Sequence, residues 1–254
     1  MFFSVNAPFN ESEVRDYERR RYRGLDQRLV HRREVRILRA IMKRVERVGG
    51  PAGDVDLNIE EAVGSRAPDI AVQPAWTARR TAPRWPRLAL DAPCGYGRFS
   101  SFLVERGYRL ASADLSFHMV KRARSRGDIS IIPMGIVCNF VSGLPFRAGV
   151  FGLVLSMRLF HHLHRPEERR SVLGEFNRVA GGWVILSYYQ ANLLHRLQRA
   201  IRRLIKRSRT RIRMISRREF REEVEAAGFE IVRVFPLFRG IHSHHIALLK
   251  KAQN

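Results

Sequence analysis

The stretch Leu88-Ala-Leu-Asp-Ala-Pro-Cys-Gly-Tyr-Gly-Arg98 decides the fold. A short apolar run ends in a carboxylate, passes into a glycine-bearing turn and enters a helical pattern. Gly95 and Gly97 let the backbone turn tightly and approach a ligand with no Cβ in the way. The helix that follows offers free N–H groups at its start. This is the layout of a nucleotide-type ligand site.

Working outward, Arg109-Leu-Ala-Ser-Ala-Asp114 reads as a second strand ending in an acid, roughly twenty residues past the loop, where a nucleoside-binding fold places its ribose acceptor. Gly135-Ile-Val-Cys-Asn139 suits a third strand, with Gly143-Leu-Pro-Phe146 as its exit, and Phe151-Gly-Leu-Val-Leu-Ser156 suits a fourth. Pro166 to Val179 reads as a helix begun by proline, and Gly182 to Tyr188 as a fifth strand. Ser216-Arg-Arg-Glu219 opens a further helix with a capping box and ends near Gly228. Phe229–Leu237 and Ile246–Lys250 supply two closing strands, with His242, His244 and His245 in the loop before the last.

From Arg87 to Lys250 the chain resembles the class I S-adenosylmethionine-dependent methyltransferases, in particular the type 11 branch that includes the quinone-biosynthesis enzymes. The resemblance rests on Leu-Asp-Ala-Pro-Cys-Gly-Tyr-Gly-Arg, Ala-Asp-Leu-Ser, Gly-Leu-Pro-Phe before Phe-Gly-Leu-Val-Leu-Ser, His-His-Leu and Gly-Gly-Trp-Val-Ile-Leu, in that order. It implies an α/β fold: a Rossmann-like, doubly wound, mostly parallel seven-stranded sheet with an antiparallel terminal strand and an N-terminal helical cap. It implies S-adenosyl-L-methionine as cofactor, held by Asp91, Ala92, Cys94, Gly95, Gly97, Asp114, Leu115, Asn139, Phe140 and Ser156. The sequence departs from the family in three places. Pro93 replaces a loop glycine and removes an N–H donor, Asn139 stands where an acid near the adenine is usual, and Gly152 replaces the usual aspartate opening the fourth strand.

Methyl transfer from a sulfonium is an in-line displacement, so a protein contributes chiefly alignment and exclusion of water. A neutral imidazole can take the proton of a hydroxyl acceptor. His162 and His161, just past the fourth strand, are the candidates, with His162 chosen by resemblance. Tyr188 and Tyr189 end the fifth strand on the same edge, and can stack on a flat acceptor or simply pack the sheet end. Tyr22 and Tyr17, in the N-terminal segment, are candidate pocket-liners or cap-packing residues.

Three segments follow from composition and pattern: an N-terminal helical cap over 1–48, a linker over 49–86 with no sustained period, and the cofactor-binding domain over 87–254. Within the first, Val30, Ile37, Leu38, Ile41, Val45 and Val48 recur at helical spacing with arginines between them. Within the last, 192–215 is a basic amphipathic segment that suits a lid, an anionic membrane surface or RNA phosphates.

The chain of 254 residues carries a net charge of +23, which attracts phosphates on lipid or nucleic acid, although a genome rich in arginine codons would produce the same excess. No stretch is long and apolar enough to span a bilayer, and the start Met-Phe-Phe-Ser-Val-Asn lacks the features of a signal peptide, so the expected compartment is the cytoplasm, with peripheral contact at the inner membrane surface. Two cysteines, Cys94 and Cys138, without metal spacing imply reduced thiols and no metal. The leading reading is methyl transfer to an aromatic or lipid-linked hydroxyl. The alternatives are an RNA acceptor, a non-catalytic binding protein on the same core, and a nicotinamide-dependent oxidoreductase, against which Ser100 occupies the third-glycine position.

Overall fold

The computed structural model describes residues 14, 25–48, 88–125, 134–191, 213–238 and 243–252. The 49–86 linker, Tyr17, Tyr22, His242 and residues 192–212 of the basic segment lie outside the described residues. The elements are α1 (Leu25–Arg47), β1 (Leu88–Asp91), α2 (Ser100–Val104), β2 (Arg109–Asp114), α3 (Phe117–Arg124), β3 (Met134–Val137), β4 (Phe151–Ser156), a 3-10 turn (Phe160–His162), α4 (Pro166–Val179), β5 (Ala180–Tyr189), α5 (Arg217–Ala226), β6 (Phe229–Pro236) and β7 (His244–Lys251).

Seven strands form one sheet in the order β3-β2-β1-β4-β5-β7-β6. The pairings from β3 through β5 are parallel, while β7 runs antiparallel to both β5 and β6. Strand order reverses at β1, so the crevice between the β1 and β4 exits is the topological switch point where open α/β sheets take ligands.

Alternation along the strands divides the core between two sheet faces. Leu90, Val154, Val184, Leu186 and Ala247 face a cluster closed by Phe176 of α4 and Phe220 of α5. Ala89, Leu153, Leu155, Ile185 and Leu248 face the opposite cluster, which contains Ile37, Leu38, Ile41, Met42 and Val45 of α1. Leu38, Ile41 and Val45 are fully buried, each worth about 2 kcal/mol of transfer free energy. The N-terminal helix is therefore a layer of the sheet's own core.

Two local features follow the chemistry of their residues. Ser216 accepts from the Glu219 N–H at 3.0 Å, and the Glu219 carboxylate accepts from the Ser216 N–H, completing the capping box of α5. The β4–β5 register shifts where Phe151 pairs with Ala180 and Leu153 with Trp183, so Gly181 and Gly182 of β5 bulge opposite Gly152; a Cβ at Gly181 would lie 2.7 Å from the Gly149 carbonyl oxygen, so this kink needs a glycine. The final strand begins earlier than the sequence suggested. His244 and His245 belong to β7 rather than to the preceding loop, because the ladder with β5 continues to Tyr189.

Candidate active site

The carboxyl ends of β1, β2, β4 and β5 present Asp91, Asp114, Ser156 and Tyr189 along one edge, and β7 enters the same edge at His244. Gly95 and Gly97 both have positive φ, at +51° and +77°. A Cβ at Gly97 would lie 3.1 Å from the Ala123 Cα, so its glycine lets the loop sit against α3. A Cβ at Gly95 would meet nothing within 4 Å, so this turn faces open space.

Asp114 anchors that turn. Its two carboxylate oxygens accept from the Gly95 N–H at 2.9 Å and the Ser116 N–H at 3.0 Å. A carboxylate has about four acceptor directions, which leaves capacity for two hydroxyls. Burial raises the Asp114 carboxyl above its ordinary range, opposed by the N–H bonds from Ser116 and Gly95. Asp91 is more deeply enclosed. It accepts from the Ser100 hydroxyl at 3.0 Å, and burial pushes it up to about 7 against that hydrogen bond, with the Asp114 charge adding to the rise. A buried carboxylate in this state gains from a cationic neighbour.

Around these two acids, Ala92 is buried and its N–H donates to Leu155 across the β1–β4 crevice at 2.9 Å. Ser156 is fully buried at the end of β4, and its hydroxyl has no hydrogen-bond partner. Asn139 falls two residues past the end of β3, where its side-chain oxygen accepts from the Val141 N–H at 3.0 Å. Leu115 is half-buried beside Asp114, and Phe140 packs into the core. Burial raises Cys94 well above the ordinary thiol range and pushes Cys138 up to about 12, so both stay protonated. The open side of Gly95, the spare capacity of Asp114, the orphaned Ser156 hydroxyl and the poised Asp91 suit a ligand with a ribose and an ammonium group. No group of three His, Cys, Asp or Glu among the described residues is placed to hold a metal ion.

His161 and His162 form the 3-10 turn after β4, their rings 4.0 Å apart, with His161 buried and His162 exposed. The His161 ring is 4.9 Å from Tyr189, and its carbonyl accepts from the Arg213 N–H at 3.1 Å. Neighbouring strand residues face opposite ways, and this separates the two tyrosines. Tyr189 stacks on His244 at the site, whereas Tyr188 stacks on Phe220 at 3.8 Å in the core, its hydroxyl donating to Gln190. Burial holds the Tyr188 phenol at about 12.

A further group escaped the reading of the sequence. Glu34 of α1 is fully buried and receives Arg98, from the end of the glycine turn, and Arg158, two residues past β4. Arg158 donates from Nε and Nη2 to Glu34 Oε1 at 3.2 and 2.7 Å, and its own N–H donates to the Ser187 hydroxyl at 2.7 Å. Arg98 also donates from Nε to His31 Nδ1 at 3.0 Å, so it is an interior ion-pair partner. His244 Nδ1 lies 3.6 Å from Glu34. Glu34 falls on the apolar stripe of α1 between Val30 and Leu38, and that placement was the available signal. Arg158 carried none, since its positive φ of 65° belongs to the turn it occupies.

Fold and loop together are similar to those of the class I S-adenosylmethionine-dependent methyltransferases. Residues 90–186 match the family described as "Methyltransferase domain". A malonyl-[acyl-carrier protein] O-methyltransferase of Hamiltonella defensa is 31% identical over 113 residues, which are 44% of this chain and 41% of that protein, so the match spans about two fifths of the relative's length. The magnesium protoporphyrin IX methyltransferase of Synechocystis, solved with bound S-adenosylhomocysteine, shares the fold with a TM-score of 0.66 at 16% identity, over 95% of this chain and 96% of that one. An S-adenosylmethionine-dependent methyltransferase of Methanosarcina mazei superposes with a TM-score of 0.54 at 22% identity, over 66% and 93% of the two chains.

Proposed function

We propose that this protein is a methyltransferase that moves a methyl group from S-adenosylmethionine to an oxygen of a small or lipid-linked acceptor. The observation that carries the reading is the convergence of Asp91, Gly95 and Asp114 on the switch-point crevice within the matched methyltransferase domain. The O-methyltransferase among the relatives supports an oxygen acceptor.

When bound, the cofactor supplies an electrophilic methyl on a sulfonium. Asp114 would receive the ribose hydroxyls, Asp91 the ammonium group, and the Gly95 turn would admit the nucleoside without steric conflict. Leu115 and Phe140 would flank the adenine, with Asn139 at its amino group. His162, open to solvent, would accept the acceptor's proton and pass it to water, while His161 and Tyr189 hold it in place. Tyr188, fixed in the core, supports the strand that carries Tyr189.

Titration calorimetry of nucleic-acid-free protein with S-adenosylmethionine and S-adenosylhomocysteine tests the cofactor. Micromolar binding lost in Asp114→Ala and Gly95→Trp is the expected result, followed by labelled-methyl transfer to a lipid or quinone extract. His162→Ala should then lower kcat by about a hundredfold while cofactor affinity holds. A folded protein that binds neither ligand overturns the reading in favour of a non-catalytic core.

A further inference from the structure

The outer face of α1 carries an unusual arrangement of charge. Arg32, Arg36, Arg39, Lys43 and Arg47 are all exposed and recur every three or four residues. At 100° per residue they fall within an arc of roughly 80°, and they extend over about 22 Å. Glu34, Leu38, Ile41 and Val45 occupy the opposite side, buried against the sheet. None of the five cations makes an ion pair with a described residue. Arg106 stands beside this row, and burial first and the Arg39 charge second lower its guanidinium from its ordinary value, opposed by Glu46 at the edge of the row and by Glu105. Five cations thus line one rigid face against a single bordering carboxylate, Glu46, an arrangement that an anionic surface would relieve.

Two observations select the kind of surface. Exposed large hydrophobics among the described residues are Leu29, Val48 and Phe117; Leu29 stands at the edge of the cationic arc in the first half of this helix, and Val48 follows its end on the side of the buried stripe. A row of cations bordered by an exposed leucine suits headgroup phosphates with acyl chains beneath them. Nucleic acid suits it less well. No aromatic residue is exposed along α1 to stack on a base.

We propose that the outer face of α1 is a docking surface for an anionic lipid bilayer, on which the helix lies flat with its cations on the headgroups and Leu29 at the acyl boundary. This goes beyond methyl transfer and does not depend on it.

Co-sedimentation of the full chain with phosphatidylcholine vesicles, with and without about one-third phosphatidylglycerol, tests it. The expected result is binding to the anionic vesicles alone, weakened by salt. The combined variant Arg32→Gln, Arg36→Gln, Lys43→Gln should partition about a hundredfold less, each cation being worth about fivefold at such a surface. These side chains are exposed, so the variant should melt with the parent, and thermal unfolding checks that. A parallel variant, Arg196→Gln, Arg199→Gln, Arg202→Gln, gives a control in the basic segment. The proposal is overturned by undiminished binding of the α1 variant, by a loss confined to the control variant, or by binding of transfer RNA without vesicle binding.

Discussion

Asp91 and Asp114 end neighbouring strands, and their environments give them different work. Asp114 is held by two N–H groups and shapes the glycine turn. Asp91, enclosed with one hydroxyl donor, sits at about 7. A carboxyl raised above its unfolded value favours folding fully in acid, and that contribution is lost as pH rises from the ordinary carboxylate range through about 7. Asp91→Asn should therefore flatten this part of the stability profile of the cofactor-free protein, as read by urea unfolding across pH. The same group predicts the reverse trend for the ligand. If ionised Asp91 meets the cofactor's ammonium, affinity falls below pH 7 by up to about tenfold per unit, with a proton released on binding. Calorimetry in buffers of different ionisation enthalpy reads that proton, and its absence in Asp91→Asn assigns it. Both acids were legible in the sequence, because a charge ending an apolar strand beside glycines is conspicuous. The tyrosine pair was read less fully: residue types alone made Tyr188 and Tyr189 equivalent, and only strand alternation places one in the core.

Among the elements, α1 holds the most unexpected role. Its apolar spacing predicted a helix, and Glu34 joins that helix to both exits that frame the crevice, through Arg98 and Arg158. Removing one member of such a group leaves the others buried without a counter-charge. Glu34→Ala should cost about 3 kcal/mol, seen as a lower Tm and denaturation midpoint, more than any single exposed arginine of the same helix. A second interior ion pair fixes the histidine turn. Arg169 is fully buried, donates to Glu223 and Glu219 of α5, and reaches the Leu163 carbonyl at 3.2 Å. Arg169→Met should displace the segment after the 3-10 turn and lower kcat more than it raises KM, with Arg169→Lys restoring only part because a single ammonium cannot span these acceptors. Neither ion pair was readable from spacing, since their members are separated by 54 residues for Arg169 and Glu223 and by 124 for Glu34 and Arg158.

At the scale of the whole molecule, the sheet face behind α1 tells how the chain holds together. Leu153, Leu155, Ile185, Ile246 and Leu248 are fully buried there with α1 over them. A chain shortened to begin at residue 87 would expose that face, and we expect it to lose the cooperative thermal transition of the full chain and to aggregate. A sharp transition retained by the short chain would make α1 dispensable. The sequence by itself determined the alternation of strands and helices, the glycine turn, its two acids and the cationic excess, because each is carried by local periodicity, turn chemistry or composition. The tertiary structure alone decided which residues meet at the crevice, that α1 is core on one side and charged on the other, and that Glu34, Arg158 and His244 share one site. Those contacts join distant parts of the chain, and no local pattern encodes which buried charges will find each other.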